Sequence, residues 1–385
     1  MYNFDHGAQR KGTNCVKWDL PFMTDDITPM WIADMDFTVA PGISESLNKV
    51  VEQGVYGYQF LSEHYYESVI SWMKRRHGYD LTKEEICYVP NVVLGLYFGV
   101  QAVSEPGDEI IIMTPVYGPF FSAVRDNGRH LVESPMKNDS GYYTIDFEDL
   151  ESKITEKTKA VMICNPHNPS GRVWTTEELQ RIADICCKHD LYILSDDIHS
   201  ELLMKGQKHT FIGSISEDAR QRSIIYTSPS KAFNLAGIHV ANCFIASEKI
   251  REKYKEISGK SHAAENNSFS EAALTGAYDK SEAWLDELMI YIEENVDYFV
   301  SYIEKEIPKL TVRKPEATYL VWVDFRKTGI PANELQKYMK KECGVFVNEG
   351  NFFGTDGEGF LRFNLACPRQ QIISVLEKMK GKLAC

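Results

Sequence analysis

Residues 160–171 read AVMICNPHNPSG, an apolar run that passes directly into a turn rich in asparagine and proline. A short apolar run bounded by turn residues is typical of a buried strand. The next segment predicts a helix, because Thr175 and Glu178 stand at capping-box spacing at its start. Strand, turn and helix in this order form the unit from which parallel sheets are built. The apolar face of the helix is expected to consist of Leu179, Ile182, Ala183 and Cys186.

The same alternation of short apolar runs and helix-like segments extends from about Glu85 to Ala246 and predicts an α/β core. The strand candidates are Glu109–Met113, Ala160–Cys164, Tyr192–Ser195 and Ser223–Thr227. After Ser281 the pattern changes to a long helical stretch that continues through Ile307. Shorter strands are expected around 318–325 and 360–364. This change predicts a second, smaller domain.

Length and composition limit the class of protein. The chain has 385 residues, more than one hydrophobic core usually supports, so two domains are expected. The net charge of −13 opposes binding to nucleic acid and to anionic lipid. No apolar run reaches the length of a membrane span, and the first residues lack the order of a signal peptide. We therefore expect a cytoplasmic protein that binds neither nucleic acid nor membranes.

Cysteine and histidine spacing gives no sign of a metal site. Nine cysteines without any Cys-x-x-Cys pair fit reduced thiols better than a disulfide frame. Four histidines considered as ligands do not stand at metal-ligand spacing: His199, His209, His239 and His262. We predict no metal.

Residues 226–234 read YTSPSKAFN and carry the most reactive candidate, Lys231. A lysine in a cleft that disfavours its charge can form an imine with a carbonyl group. The hydroxyls of Ser228 and Ser230 are suited to a phosphate. Taken alone, the motif is more often a surface turn.

Two further motifs lie where parallel strands end. Asn168 follows one candidate strand and Asp196 ends the next, so both belong at the ligand-binding edge of the sheet. A carboxylate there can pair with a pyridinium nitrogen. Upstream, a strand runs into a helix at Val92 and Val93, whose free amides would suit an anion.

Asn-Pro-x-Asn-Pro-x-Gly at 165–171, then Asp196, then Ser-x-x-Lys ending at Lys231, resembles the fold-type I pyridoxal-phosphate enzymes. The likeness covers nearly the whole chain. It implies an aspartate-aminotransferase-like α/β fold, in which helices sandwich a mostly parallel sheet in the large domain. The implied boundaries are 46–284 for the large domain, and 1–45 with 285–385 for a smaller α+β domain.

Within that superfamily, four segments resemble the MalY/PatB-type cystathionine β-lyases: Ala33–Phe37, Ser195–His199, Trp284–Asp286 and Gly359–Asn364. The resemblance implies a pyridoxal-phosphate-dependent carbon–sulfur β-lyase. Its substrates would be L-cystathionine, L-cystine or related cysteine S-conjugates, and its products pyruvate, ammonia and a thiol. Two alternatives stay open: an amino-acid aminotransferase, and a regulatory binding protein with secondary lyase activity.

The resemblance also implies roles for single residues. Lys231 would carry the cofactor as a Schiff base, Asp196 would pair with its ring nitrogen, and Asn168 would bind its phenolic oxygen and the substrate. Tyr117 would lie against the ring. Arg362 would bind the substrate α-carboxylate with two hydrogen bonds.

Tyr58 would reach the phosphate of the neighbouring subunit in a homodimer with shared active sites, and Tyr58 or Tyr117 would protonate the leaving sulfur. Each role has a structural rival. Asn168 is also suited to shaping a turn, Asp196 to capping the next segment, and Arg362 to a place on the surface of a strand. The tyrosines are equally plausible as half-buried packing residues.

Two positions depart from the wider superfamily. His239 stands where many relatives have a phosphate-binding arginine, so Ser228, Ser230, the helix amides and Tyr58 would carry more of the phosphate binding. His199 stands where aminotransferases often have a tyrosine, so the hydrogen bond to the ring oxygen would differ. Glycines near Arg362 are compatible with a mobile loop or with ordinary turns: Gly350, Gly354, Gly357 and Gly359.

Overall fold

The computed structural model describes residues 2–263 and 265–383. Its strands are β1 (Thr28–Pro29), β2 (Ile86–Val89), β3 (Glu109–Thr114), β4 (His130–Pro135), β5 (Lys137–Asp139), β6 (Tyr142–Thr144), β7 (Thr158–Cys164), β8 (Tyr192–Asp196), β9 (Ser223–Thr227), β10 (Ala241–Phe244), β11 (Thr311–Val312), β12 (Leu320–Asp324), β13 (Val345–Phe346), β14 (Asn348–Glu349) and β15 (Phe360–Asn364). Its α-helices are α1 (Pro41–Gln53), α2 (Glu63–His77), α3 (Val92–Val103), α4 (Pro119–Arg125), α5 (Phe147–Ser152), α6 (Thr176–Lys188), α7 (Glu217–Gln221), α8 (Glu248–Ser261), α9 (Ser268–Lys280), α10 (Glu282–Glu306), α11 (Leu335–Glu342) and α12 (Arg369–Leu383).

A seven-stranded sheet with the order β2-β10-β9-β8-β7-β3-β4 forms the centre of the molecule. The pairs from β9 through β8, β7 and β3 to β4 are parallel, whereas β10 is antiparallel to both of its neighbours. Alternate residues of these strands face opposite sides: Ile111 and Ile193 join one hydrophobic cluster, and Ile112 and Leu194 join another. Helices cover both faces, as expected for an α/β fold.

A second sheet, antiparallel throughout, has the order β11-β12-β15-β14. The long helix α10 precedes it along the chain and contacts α12 and β11. Near it, β1 pairs in parallel with β13, so that Thr28 lies opposite Val345. The N-terminal segment is therefore joined directly to the C-terminal part of the chain.

The structure confirms the main elements predicted from the sequence. Each of the four strand candidates of the core is a strand, and the bounds of β9 agree with the prediction. Thr175 and Glu178 form the predicted capping box at the start of α6. The long helical stretch is α10, and the two later strands are β12 and β15. Within residues 2–263 and 265–383, none of the helices combines the length and the hydropathy of a membrane span.

Candidate functional site

The carboxyl ends of β7, β8 and β9 lie side by side, because Cys164 is opposite Asp196 and Asp196 is opposite Tyr226. The turns after these strands therefore reach the same edge of the sheet, where α/β proteins bind ligands. A cavity of about 350 Å³ opens at that edge. Its lining includes ten of the residues predicted for the site: Val92, Val93, Tyr117, Asn168, Asp196, His199, Ser228, Ser230, Lys231 and Arg362.

Lys231 follows β9 and projects its amine into this cavity. Its Nζ donates a hydrogen bond of 2.7 Å to the carbonyl oxygen of Ala33. Burial, and secondarily the positive charge of Arg362, lowers the pKa of Lys231 to about 8. At pH 7 about one tenth of the amine is therefore uncharged, against less than about 0.1% at the ordinary pKa of 10.5. The uncharged form is the one that a nucleophile or base requires.

Asp196, at the end of β8, is buried, and burial raises the pKa of its carboxyl group to about 7. The backbone N–H of Ile198 donates to its Oδ1 at 3.1 Å. Asp196 thus does cap the next segment, and it lines the cavity as well. A cationic partner placed in the cavity would favour its ionised form. Burial lowers the pKa of nearby His199 well below its usual value, so this ring is neutral.

Arg362 lies on β15 with 2% of its surface exposed, which excludes the surface role considered for it. Its Nη1 donates to Asn168 Oδ1 at 2.9 Å, and its Nη2 donates to Asn348 Oδ1 at 2.6 Å and to the carbonyl of Trp31 at 3.1 Å. Its Nε has no partner among the described residues. The guanidinium group is fixed in orientation and has a donor left for an anion.

The start of α3 forms a second anion-binding region of the cavity. Asn91 caps the helix by accepting a hydrogen bond of 2.9 Å from the backbone of Leu94. The amides of Val92 and Val93 belong to the first turn, where no intrahelical partner exists. On the other side, Ser228 Oγ lies 2.8 Å from Ser230 Oγ. His239 is exposed and is not part of the cavity lining.

Residues 30–37, called here the N-terminal strap, lie across the site. The side-chain amide of Asn364 donates to two carbonyl groups of the strap at 2.6 Å each. The amide of Asn234 donates to two more, at 3.0 and 2.9 Å. Because one carbonyl of the strap binds Lys231, these two asparagines position the acceptor of the lysine amine.

Ion pairs from Arg10 and Lys17 hold the strap to the preceding chain. Arg10 contacts Asp34 at 2.6 Å and Asp36 at 2.9 Å, and the buried Lys17 contacts Asp36 at 2.9 Å. In the sequence, Ala33–Phe37 was one of the segments that carry the family resemblance, but no structural role was predicted for it. There was also no prediction from the sequence for Trp31 and Asn348, or for a role of Asn364. Asn364 could have been found as a second polar residue two positions after Arg362 in an otherwise apolar strand.

The glycines near Arg362 are explained by close packing. An added Cβ on Gly350 would lie 1.7 Å from the carbonyl oxygen of Gly357, so neither position has room for a side chain. Gly354 and Gly359 have φ values of 110° and 83°, which favour glycine. These contacts support the turn interpretation of this loop.

Tyr58 does not join the other predicted residues within this chain. It is fully exposed, and it lies in a segment without regular structure between α1 and α2. The same segment exposes Val55, Tyr56 and Phe60 to a large extent. Contiguous exposed apolar residues of this kind mark an interaction surface.

The remaining polar clusters have no arrangement suited to metal. Within residues 2–263 and 265–383, no group of three histidine, cysteine or carboxylate side chains is placed to hold a metal ion. His209 lies instead beside Asp197 at 2.9 Å, and both side chains are buried.

Comparisons with known proteins agree with this geometry. The sequence pattern of the family described as aminotransferase class I and II matches residues 46–379. The chain is 39% identical to cystathionine beta-lyase PatB of Bacillus subtilis (strain 168), covering 99% of this chain and 100% of that protein. The crystal structure of cystalysin from Treponema denticola, which contains pyridoxal 5'-phosphate, has a TM-score of 0.96 at 35% identity, covering 99% of this chain and 98% of that one. The PLP-bound C–S lyase from Staphylococcus hominis has a TM-score of 0.93 at 33% identity, covering 100% and 99%.

Proposed function

The chain belongs to the class I and II aminotransferase family, and from this premise we propose that it is a pyridoxal-phosphate-dependent carbon–sulfur β-lyase. It cleaves L-cystathionine, L-cystine or related cysteine S-conjugates to pyruvate, ammonia and a thiol. One observation carries the proposal: Lys231, Asp196 and Arg362 line a single cavity at the carboxyl edge of the sheet. The reaction class is supported by similar proteins that match the chain over its full length and are named as lyases.

The donor set of the cavity fits the cofactor. Asp196 is a buried carboxylate with room for a cation beside it, as the ring nitrogen requires. The amides of Val92 and Val93 and the hydroxyls of Ser228 and Ser230 suit the phosphate. Pyridoxal phosphate supplies an electron sink that stabilises negative charge at the substrate Cα.

Lys231 would hold the cofactor covalently and, once substrate has released it, would take the proton from the substrate Cα. Its lowered pKa makes the free amine available for that step. Asn168 would contact the phenolic oxygen of the cofactor, with His199 neutral beside it. Arg362 would orient the substrate through its α-carboxylate.

Tyr117 would lie against the ring and is one candidate for protonating the leaving sulfur. Burial raises the pKa of its hydroxyl, so the hydroxyl keeps its proton at neutral pH and is able to donate it. The other candidate is Tyr58, acting from the neighbouring subunit.

The proposal includes a homodimer with shared active sites. We assign the segment 54–61 to the interface because its apolar side chains, including that of Tyr58, are exposed. Tyr58 of the partner subunit would bind the phosphate of the cofactor, a task made more important by His239 in the place of an arginine.

We also propose the domain division expected from the sequence: a large domain at 46–284 and a small domain of 1–45 with 285–385. The separate four-stranded sheet and the start of α10 near the second boundary support it. A cytoplasmic location belongs to the proposal too. It is supported by the free thiols of all cysteines within the described residues, as expected in a reducing compartment.

Product analysis tests the function and separates it from aminotransfer, which shares the steps up to proton removal. We expect pyruvate, ammonia and a thiol from a cysteine S-conjugate without any added keto acid. Turnover that depends on a keto acid and yields no thiol would instead establish an aminotransferase.

A further inference from the structure

The charged side chains of the cavity all have tasks in the proposed reaction. Among the described lining residues they are Asp196, Lys231 and Arg362. The first two act on the cofactor and the third binds the α-carboxylate of the substrate. No charged side chain of the lining therefore remains for the part of a substrate beyond its sulfur atom.

The wall beside Arg362 is aromatic. Trp31 and Phe352 line the cavity together with Tyr117. The rings of Tyr117 and Phe352 lie 5.9 Å apart in an edge-on arrangement. Such a wall gains free energy by contact with apolar groups, and it has no positive charge to pair with a carboxylate group.

The position of Phe352 is built into the loop that carries it. A Cβ added to Gly118 would lie 2.9 Å from the carbonyl oxygen of Phe352 and 3.0 Å from its ring, so glycine is needed for this close seat. The backbone N–H of Val116 donates to the carbonyl of Phe353 at 2.8 Å. Thr114 Oγ1 donates to Asp356 Oδ2 at 2.5 Å. The loop is thereby tied to the chain after β3, and Phe352 is held beside Tyr117.

The proposed dimer does not add the missing charge through the exposed segment. Residues 54–61 read GVYGYQFL and contain no aspartate, glutamate, lysine, arginine or histidine. A partner subunit that inserts this segment at the site would bring tyrosine side chains and no charge.

We propose that the site prefers cysteine S-conjugates with an uncharged, apolar leaving thiol, such as S-alkyl cysteines, over L-cystathionine. The leaving group of L-cystathionine carries a carboxylate as well as an ammonium group. Aromatic faces attract an ammonium group, but enclosing the carboxylate without a counter-charge costs free energy. Phe352 is the specificity-determining residue. This inference rests on the proposed lyase function and names its substrate class.

A matched pair of substrates provides the test. S-butyl-L-cysteine and L-cystathionine carry the same four-carbon chain on sulfur, and only the second bears charges on it. We expect kcat/KM for S-butyl-L-cysteine to be at least about tenfold higher than for L-cystathionine. A site discriminates against a substrate whose polar groups stay unpaired when it is bound. Equal values, or a preference for L-cystathionine, would overturn the inference.

Binding measurements separate this inference from the lyase function. The dissociation constants of both amino acids are measured by quenching of tryptophan fluorescence. If neither compound is cleaved but S-butyl-L-cysteine binds more tightly, the lyase function fails and the apolar subsite stands. If both are cleaved and L-cystathionine binds as tightly or more tightly, the subsite is wrong and the lyase function stands.

A change of Phe352 gives a second readout. Phe352 is 45% exposed, so its replacement should leave the fold intact. Phe352→Arg should shift the ratio of the two kcat/KM values toward L-cystathionine by about tenfold or more, because it places a counter-charge for the distal carboxylate. The control is Ile290→Arg, which adds the same charge to an exposed residue outside the cavity lining and should leave the ratio unchanged. The same ratio in Phe352→Arg and wild type would remove Phe352 from the subsite.

Discussion

Arg362 is held by three oxygen atoms, from Asn168, Asn348 and the backbone of Trp31, before any substrate arrives. A lysine at this position would keep the charge but lose the planar fork and most of these contacts. We expect Arg362→Lys to raise KM for cysteine S-conjugates about 10- to 100-fold, the range given by the loss of one or two charge-assisted hydrogen bonds. The control is Arg326→Lys on the surface near the same strand. Steady-state kinetics with an unchanged KM would exclude Arg362 from substrate binding.

Asp196 makes the stability of the cofactor-free protein depend on pH. Its pKa is about 7 in the folded state, against an ordinary value of 3.8, so the folded state keeps a proton that the unfolded state has released. Stability therefore falls as pH rises between these two values. Asp196→Asn cannot ionise, and its stability relative to wild type should rise by a few kcal/mol from about pH 4 to about pH 8, at about 1.4 kcal/mol per pKa unit.

Urea unfolding of the two cofactor-free proteins across this pH range measures the difference. Asp139→Asn, at an exposed carboxylate, is the control and should show no such trend. A pH-independent difference between Asp196→Asn and wild type would mean that Asp196 ionises in the folded protein as easily as in water.

At the scale of elements, helix α3 approaches β9 closely enough to exclude a side chain. A Cβ on Gly99 would lie 1.8 Å from Tyr226 Oη, whereas the next ring atom is 3.2 Å away. The Tyr226 hydroxyl is buried and has no hydrogen-bond partner among the described residues. Gly99→Ala should therefore destabilise the protein by about 1–3 kcal/mol through overpacking, and Tyr226→Phe should cost little or nothing.

The double variant should recover most of the loss, because phenylalanine removes the atom that an alanine at Gly99 would meet. Chemical denaturation of the four proteins gives the coupling energy, which we expect to be about 1–3 kcal/mol. Additive effects of the two substitutions would show that the helix moves away from the strand instead.

The strands and helices of the large sheet, such as β9 and α6, were predictable because their sequence signals are local. The run from Ser223 to Thr227 is apolar and β-branched. Thr175 and Glu178 accept hydrogen bonds from free backbone N–H groups at the start of α6, and both lie within four residues of chain. The strap was not predictable as an element. It has no regular periodicity, and its conformation depends on Asn364 and Asn234, which are distant in the sequence.

At the scale of the whole molecule, the motifs predicted residues that line one cavity, because strand ends of a parallel sheet meet at one edge. They did not predict that Asn348 and Trp31 would hold Arg362, since those contacts depend on how β14 and the strap lie beside β15. The exposure of Tyr58 likewise follows from the packing of the chain and not from its local sequence.

The proposed dimer predicts complementation between inactive subunits. Lys231→Ala and Tyr58→Ala should each be nearly inactive as homodimers if each site takes Lys231 from one chain and Tyr58 from the other. Unfolding and refolding them together creates mixed dimers in which one site collects both defects and the other has neither. Activity should return in mixed dimers isolated with two different tags. Mixed dimers as inactive as their parents would contradict the shared site.

The pairing of β1 with β13 has a consequence for synthesis of the chain. Thr28 finds its partner only when Val345 has been made, and Arg362 follows later still. A nascent chain on the ribosome can already have all strands of the large sheet, and Asn234 to bind the strap, before Asn364 has been made. Contacts of such long sequence separation also form slowly. The contacts of the strap with Arg362 and Asn364 are therefore among the last to form during biosynthesis, after translation has passed β15.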